Sequence, residues 1–351
     1  MLTMCMNGSR IIFTLMVLMG SSAVFAELRC PVTPIPAYTG DLNIQSGYDP
    51  EDPTRSTRID DPDSRSKAIN DYLIRFSDGL GRFADYYASR QTDAKAGSLA
   101  IQCTHEWLAS WAREHALTTT DASPTGVALR VWTLSAVATA VLKMEHYAGA
   151  DWALTAAEKT WIAKLGEIVR ADYADRIRLK PERINNHDYW AAWAVAASAI
   201  VTEQEQALSW SYTVFRFAMS QTVNDDITYT AYLPNELGRG ALGAHYTQFA
   251  LTPLVMLADH LPDHGYVIDY RDTVQLKKLA EFAAIIVLTP EAVFHIQDDA
   301  QRIPSPASFT WLYPFNALYA DVVSTQELLE IVRPYTGVNY RLGGDLRPLY
   351  D

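Results

Sequence analysis

The sequence is short of positive charge, of cysteine and of long apolar runs. Its 351 residues include 29 Lys and Arg against 41 Asp and Glu, which gives a formal net charge of −12. Because there is no basic excess to neutralise phosphates, the composition argues against a nucleic-acid-binding protein. The hydrophobic content of 49% excludes a disordered or low-complexity chain, since it is enough to build a large core.

Several catalytic signatures are also absent. The sequence has no phosphate-binding loop, no Rossmann glycine pattern and no serine nucleophile elbow. His105-Glu106 is not followed by a second histidine at the zinc-protease spacing, and there is no Cys-x-x-Cys pair. We therefore expect neither a metal nor another cofactor.

Residues 1–26 have the pattern of a secretory signal peptide. Arg10 precedes a short apolar run, and small residues then lead to a cleavage site after Ala26. The run is too short to span a membrane, and no later stretch is predicted to span one. We expect a product without a membrane anchor, periplasmic or secreted, with a single domain over residues 27–351.

Cleavage would leave two of the three cysteines, Cys30 and Cys103. In an oxidising compartment an even pair of cysteines is a disulfide candidate. A bond would tether the irregular N-terminal segment to a helix. The alternative is two unpaired, buried thiols.

The body of the chain has the periodicity of amphipathic helices. Residues 31–65 are rich in Pro, Asp, Ser and Thr and are predicted to form an extended arm or loop. Beyond them, apolar residues recur at three- and four-residue spacing, for example at Tyr72, Phe76, Leu80, Phe83 and Tyr87. Later helices are predicted over 189–201, 203–220, 241–259, 273–288 and 324–333. The chain is therefore predicted to be all-α, and the repeated helical hairpins suggest a toroid of paired helices.

Two segments carry the most specific motifs. The first is Asn185-Asn186-His187-Asp188-Tyr189-Trp190, and the second runs from Leu233-Pro234-Asn235-Glu236-Leu237-Gly238-Arg239 to His245-Tyr246. Together they resemble the alginate lyases, a polysaccharide lyase family that cleaves polymannuronate on an α/α toroid. Further matches extend from Cys30 to the tail Arg341-Leu342-Gly343-Gly344, so the resemblance covers nearly the whole chain after the predicted signal peptide.

The resemblance implies an incomplete α/α toroid with an irregular N-terminal arm and a lid loop. It also implies an anionic polysaccharide as the partner, and we expect a monomer. Some members pair cysteines at the positions of Cys30 and Cys103, which favours the disulfide. The family's catalytic motif falls on four residues: Asn186, His187, Arg239 and Tyr246.

These residue types suit the chemistry of β-elimination. The proton on C5 of a uronate is hardly acidic while the neighbouring carboxylate is a full anion. Asn186 and Arg239 can donate to that carboxylate and stabilise the enediolate. Tyr246 could take the proton and return it to the leaving oxygen if its phenol is partly ionised. We expect His187 and Arg239 to stabilise the phenolate, as positive charge or as hydrogen-bond donors. His187 is also a candidate second base.

Each of the four residues also has a purely structural explanation. Asn186 could cap the helix that follows it, and His187 could be an ordinary buried histidine. Tyr246 could be a core residue, and Arg239 could pair with Glu236 three residues earlier. The two motifs together favour the catalytic interpretation.

Candidate binding residues lie outside the two motifs or beside them. Tyr48 falls where the family has a mobile lid loop, and Arg55 lies in the same arm. Gly47 stands where many mannuronate-cleaving members have a lysine, and a basic residue near Leu242 is also missing. The remaining candidates are His245, beside Tyr246, and two groove residues, Tyr313 and Arg341. The two groove residues are explained equally well as structural contacts near the C-terminal tail.

The sequence therefore predicts a polyuronate lyase, with polymannuronate as the first substrate to test and polyglucuronate or a broad specificity as the alternative. A hydrolase would need two carboxylates across the cleft, which Asp188 and Glu236 would have to supply. A non-catalytic polyuronate-binding protein is the alternative outside the enzymes.

Overall fold

Within residues 30–59, 63–296 and 300–350, which the computed structural model describes, the secondary structure is mainly helical. The predicted signal peptide lies outside these residues. The helices are α1 (Ser64–Ser89), α2 (Ala94–Arg113), α3 (Pro124–Ala148), α4 (Ala156–Tyr173), α5 (Arg176–Leu179), α6 (Asn186–Thr202), α7 (Glu205–Gln221), α8 (Pro234–Leu237), α9 (Gly243–His260), α10 (Tyr270–Leu288), α11 (Leu312–Leu318), α12 (Val323–Val332) and α13 (Arg347–Tyr350). The all-α prediction is confirmed.

Two short antiparallel ribbons interrupt the helices. The first pairs β1 (Val223–Asp225) with β2 (Thr230–Tyr232), and the second pairs β3 (Val338–Asn339) with β4 (Gly344–Asp345). The first ribbon packs against α10, and the second brings the C-terminal tail back against α1.

Most of the long helices begin at a residue whose side chain accepts the free backbone N–H groups of the first turn. Such caps satisfy donors that would otherwise be buried without a partner. On α4 and α6 the third helical residue also returns a hydrogen bond to the cap, which makes a full capping box. The capping residues are Asp63, Asp93, Ser123, Thr155, Asn185 and Asp269.

Helix α6 occupies the centre of the hydrophobic core. It packs against α3, α4, α7 and α9 and is buried on all sides. Its alanines let these neighbours approach closely, and Trp190 and Trp193 fill the remaining space without any exposure. The N-terminus of a helix held this firmly is a rigid platform for a functional site.

Helix α3 qualifies as a membrane span by length and composition alone. The segment Pro124–Asp151 contains an 18-residue window with a mean hydropathy of 1.5, which the sequence analysis did not anticipate. In the structure 78% of that window is buried within the protein. Its apolar character is therefore explained by packing against α1 and α6.

The N-terminal arm is held to α2 by a covalent bond and by tryptophan side chains. Cys30 and Cys103 form a disulfide with a Cα–Cα distance of 4.8 Å, which confirms the predicted pair. Further along the arm, the indole N–H of Trp111 donates to the carbonyl of Ile35 at 2.8 Å. The arm therefore enters the site region from a fixed starting point.

The C-terminal tail is fixed by a buried lysine. Lys143 of α3 is only 1% exposed and donates its ammonium hydrogens to Asp85 and to the carbonyls of Gly343 and Asp345. Buried charges are tolerated when they are paired and hydrogen-bonded in this way. The contacts hold the tail that carries Arg341 against α1 and α3.

We expect Cys103→Ser to lower the free energy of unfolding by about 2–4 kcal/mol, because the disulfide removes loop-closure entropy from the unfolded chain. The bond closes a loop of 73 residues. Denaturant unfolding of the variant and of the oxidised parent would measure the difference, with the reduced parent as control. An unchanged midpoint in the variant would contradict the prediction.

Candidate active site

The first motif forms the N-terminal turn of α6. The side chain of Asn185 accepts the backbone N–H of His187 at 3.0 Å, and the carboxylate of Asp188 accepts the backbone N–H of Asn185 at 3.0 Å. The capping residue is therefore Asn185, and the structural explanation of Asn186 as a helix cap is wrong. The side chain of Asn186 is left for another partner.

That partner is Glu236, from the second motif. The backbone N–H of Asn186 donates to Glu236 Oε1 at 2.6 Å, and its side-chain amide donates to Oε2 at 2.8 Å. Both side chains are buried, and burial raises the pKa of Glu236 to about 7 against the opposing effect of these hydrogen bonds. Asn186 Oδ1 is buried and accepts no hydrogen bond within the described part of the chain. The pair fixes the amide and joins the two motifs.

His187 lies one residue further along α6, with its ring stacked on Trp132 at a centroid distance of 5.9 Å. Burial, together with the charges of Arg176 and Arg239, lowers the pKa of His187 to about 4. The imidazole is therefore neutral at pH 7. The expectation that it supplies positive charge to Tyr246 is wrong, whereas a neutral imidazole remains able to accept or donate a proton.

Arg239 and Tyr246 are brought together by the turn that connects α8 to α9. The Cζ atom of the Arg239 guanidinium lies 3.7 Å from the centroid of the Tyr246 ring, a close cation–π contact. Glu236 is occupied by Asn186, and Arg239 makes its hydrogen bonds elsewhere. The structure thus does not support the simple pairing of Arg239 with Glu236.

A loop of the N-terminal arm, residues 47–59, covers this pair and is called the lid here. Its two sides meet in an antiparallel bridge between Tyr48 and Arg58. At its tip, the carboxylate of Asp52 accepts the backbone N–H groups of Thr54, Ser56 and Thr57 at 2.8–2.9 Å. These hydrogen bonds lower the pKa of Asp52 and keep the tip in one conformation.

The lid is held against the site through Arg239 and through Tyr48. Arg239 donates from Nε to the carbonyl of Thr54 at 2.6 Å and from Nη2 to the carbonyl of Arg55 at 2.9 Å. Tyr48 is hydrogen-bonded to Tyr246, and its ring centroid lies 5.9 Å from the Arg239 guanidinium. The lid therefore rests against Arg239 and Tyr246, and substrate binding by Tyr48 and Arg55 stays a prediction.

The same surroundings set the protonation of Tyr246. Burial raises its pKa, the nearby Arg239 lowers it, and the hydrogen bond to Tyr48 raises it further. The balance is a pKa above the ordinary value for tyrosine, so the phenol is protonated in this closed arrangement. The sequence-based expectation of a partly ionised phenol is not met here.

A second cationic position lies beside the first. The Arg341 guanidinium is 4.8 Å from the ring of Trp132 and 5.2 Å from that of Phe249. Its Nε atom is buried and has no hydrogen-bond partner among the described residues. His245 stacks on Phe249 at a centroid distance of 6.0 Å, and His187 stacks on Trp132. Arg341, His245 and His187 are thus joined through the rings of Trp132 and Phe249.

Tyr313 differs from the other predicted binding residues. It lies on α11 in the hydrophobic core with only 2% exposure, and Arg333 is placed over its ring. Its deep burial leaves little surface for a substrate, and its role in a groove stays a prediction.

The carboxylates that a hydrolase would need are both engaged with protein partners. Asp188 accepts from Arg176 Nε at 3.0 Å in addition to capping α6, and Glu236 holds Asn186. Among the described residues there is also no group of three or more His, Cys, Asp or Glu side chains that could hold a metal ion.

Comparisons with known proteins agree with the all-α fold and with the resemblance of the two motifs to the alginate lyases. A profile of the alginate lyase family matches residues 43–293. An alginate lyase of Azotobacter vinelandii is 31% identical over 330 residues, which cover 92% of this chain and 84% of the relative. Alginate lyase A1-III from Sphingomonas species A1 has a similar fold, with a TM-score of 0.65 and 17% identity over 91% of this chain and 86% of that one. A variant of that enzyme complexed with a tetrasaccharide gives a TM-score of 0.68 at 16% identity, over 92% and 86% of the two chains.

The solved structures confirm the predicted α/α toroid. The family profile and the curated relatives place the chain among the lyases. The chain belongs to the alginate lyase family.

We expect Glu236→Gln to remove a pH-dependent cost of folding. The pKa of Glu236 is about 7 in the folded chain, and its ordinary value is 4.5. Between these two values the folded state therefore binds more protons than the unfolded state. Stability therefore falls as pH rises through this window, by about 3 kcal/mol. Urea unfolding at pH 4.5 and 7.5 would show the wild type losing this much relative to the variant. Parallel curves for the two proteins would contradict the prediction.

Proposed function

We propose that the chain cleaves alginate by β-elimination, with polymannuronate as the first candidate among its block types. The observation that carries the proposal is the contact of Arg239 with Tyr246 at 3.7 Å, next to the Asn186–Glu236 pair. Membership of the alginate lyase family supports the substrate. The complex of a fold relative with a tetrasaccharide is consistent with a saccharide chain in this cleft.

The first step in this proposal is neutralisation of the C5 carboxylate. Arg239 provides a guanidinium fork, which can bind a carboxylate through two parallel hydrogen bonds. Asn186 adds an N–H that Glu236 holds in place, so that little reorganisation is needed as charge builds up on the enediolate. The fork now donates to two lid carbonyls, so the substrate carboxylate would have to replace them.

The second step is the proton transfer. The C5–H electron pair forms the C4=C5 double bond through the enediolate while the bond from C4 to the glycosidic oxygen breaks. Tyr246 is the proposed group that takes the C5 proton and protonates the departing oxygen, so one residue would serve as both base and acid. Its phenolate is favoured by Arg239 and disfavoured by Tyr48. Displacement of the Tyr48 hydrogen bond by substrate would therefore lower the pKa of Tyr246 and increase the fraction that is ionised and able to take the proton.

His187 is the proposed second proton acceptor. Its pKa of about 4 leaves it neutral at the pH where the phenol is still protonated. A neutral imidazole on the other side of the sugar would suit a uronate of the opposite C5 configuration, and it could also donate to the carboxylate.

We further propose that the protein works in the periplasm or is secreted. The signal peptide pattern of residues 1–26 and the disulfide between Cys30 and Cys103 support an oxidising compartment. A chain without a membrane anchor and a monomeric state remain predictions.

The substrate is tested by mixing the purified protein with polymannuronate, polyguluronate and polyglucuronate and following the ultraviolet absorbance of the new double bond. We expect the fastest rise with polymannuronate. A faster rise with polyglucuronate would identify the alternative specificity, which the missing positive charges at Gly47 and Leu242 suggest. Binding without any rise in absorbance would identify a non-catalytic binding protein.

Tyr246→Phe should lower kcat at least about a hundredfold, because the variant cannot transfer the proton. Arg239→Ala should lower it by a similar factor, because the carboxylate would keep its charge. Circular dichroism should show the helical content of both variants unchanged.

Tyr212→Phe is the matched control for the tyrosine variant. It removes the hydroxyl that donates to the carbonyl of Val267 at 2.7 Å, far along the sequence from both motifs. We expect it to keep wild-type kcat. Near-normal turnover by Tyr246→Phe would rule out the proposed base and acid.

A further inference from the structure

The lid carries charged side chains close to the site. Residues 47–59 include two arginines, Arg55 and Arg58, among three acidic side chains. Arg55 has a backbone φ of 53° and contributes its carbonyl to the contact with Arg239. Asp52 is used within the loop by the N–H groups of the tip. Among the hydrogen bonds and ion pairs within the described part of the chain, none uses the Arg58 side chain.

The backbone of the lid fixes the direction of Arg58. Asp49 N–H donates to the carbonyl of Thr57 at 2.9 Å and Ile59 N–H to that of Gly47 at 3.2 Å, on either side of the bridge between Tyr48 and Arg58. Residues that face each other across such a bridge project their side chains to the same side. Accordingly, the Arg58 guanidinium lies 5.9 Å from the centroid of the Tyr48 ring.

Tyr48 faces the catalytic residues, since it is hydrogen-bonded to Tyr246 and lies beside Arg239. Arg58 therefore projects to the site side of the lid as well. It is exposed, and the ion pairs among the described residues do not include it. Burial lowers the pKa of His245, and the charges of Arg341, Arg58 and Arg239 lower it further. The site thus has a cation above it that forms no ion pair with a carboxylate of the described residues 30–59, 63–296 and 300–350.

We propose that Arg58 is a substrate-binding residue of the lid, which pairs with the carboxylate of the uronate next to the one that is cleaved. The inference rests on the proposed function. Every sugar of a polyuronate carries a carboxylate, and Arg239 can serve only the one at the reacting sugar. A neighbouring carboxylate needs a second guanidinium, and the Tyr48 ring beside Arg58 offers an apolar face to the sugar itself.

The test compares Arg58→Ala and Arg58→Lys with wild type in steady-state kinetics on the best polyuronate. Arg58 acts in binding and not in proton transfer, so Arg58→Ala should raise KM about fivefold and leave kcat within about twofold. Arg58→Lys should recover most of the affinity because it keeps the charge. The increase of KM with added NaCl should be smaller in Arg58→Ala, since one screened ion pair is gone.

Arg75→Ala is the matched control. Arg75 is also an exposed arginine over a tyrosine ring, 5.6 Å from the centroid of Tyr72 on α1. It lies outside the lid, and we expect KM to stay at the wild-type value. An equal rise of KM in the two alanine variants, or a fall in kcat with unchanged KM in Arg58→Ala, would overturn the role of Arg58. Absence of unsaturated product from the wild type would instead overturn the proposed function itself.

Discussion

The two buried hydrogen bonds from Asn186 to Glu236 connect segments that lie fifty residues apart in the chain. One segment begins the central helix α6, and the other begins the turn that leads to Arg239 and Tyr246. A carboxylate without exposure is stable there only because it receives both N–H groups, and its raised pKa shows how costly the burial is. The placement of Asn186 relative to Arg239 and Tyr246 depends on this junction.

Arg239 has two roles that compete for the same hydrogen-bond donors. In the closed structure its guanidinium binds the carbonyls of Thr54 and Arg55, and in the proposed mechanism it binds a carboxylate. A charged carboxylate is a stronger acceptor than a neutral carbonyl. In the proposed mechanism, substrate entry and rearrangement of the lid tip would therefore be coupled through one side chain. The hydrogen bond between Tyr48 and Tyr246 would couple the lid to the proposed proton-transfer group.

The protonation states in the site depend on burial as well as on residue type. From the sequence, His187 and Arg239 suggested positive neighbours for Tyr246 and a partly ionised phenol. Burial instead moves His187 and Tyr246 toward their neutral forms. Burial also explains why an apolar stretch such as α3 lies inside the protein. From the sequence, Arg58 was not singled out, and Glu236 was considered only as a partner of Arg239 or as a carboxylate of a hydrolase. Their partners, Tyr48 and Asn186, lie ten and fifty residues away in the chain, and no periodicity reveals such contacts.

The sequence by itself determined the helical class, the disulfide pair and the four central residues of the site. These follow from local or chemical signals, namely three- and four-residue periodicity, an even cysteine count and two motifs that resemble one family. Tertiary structure alone decided that Asn185 caps α6, that Asn186 binds Glu236, and that the lid rests on Arg239. It also decided which groups carry charge. Hydrogen-bond partners and desolvation depend on which distant residues meet in space, and a linear pattern does not contain that information.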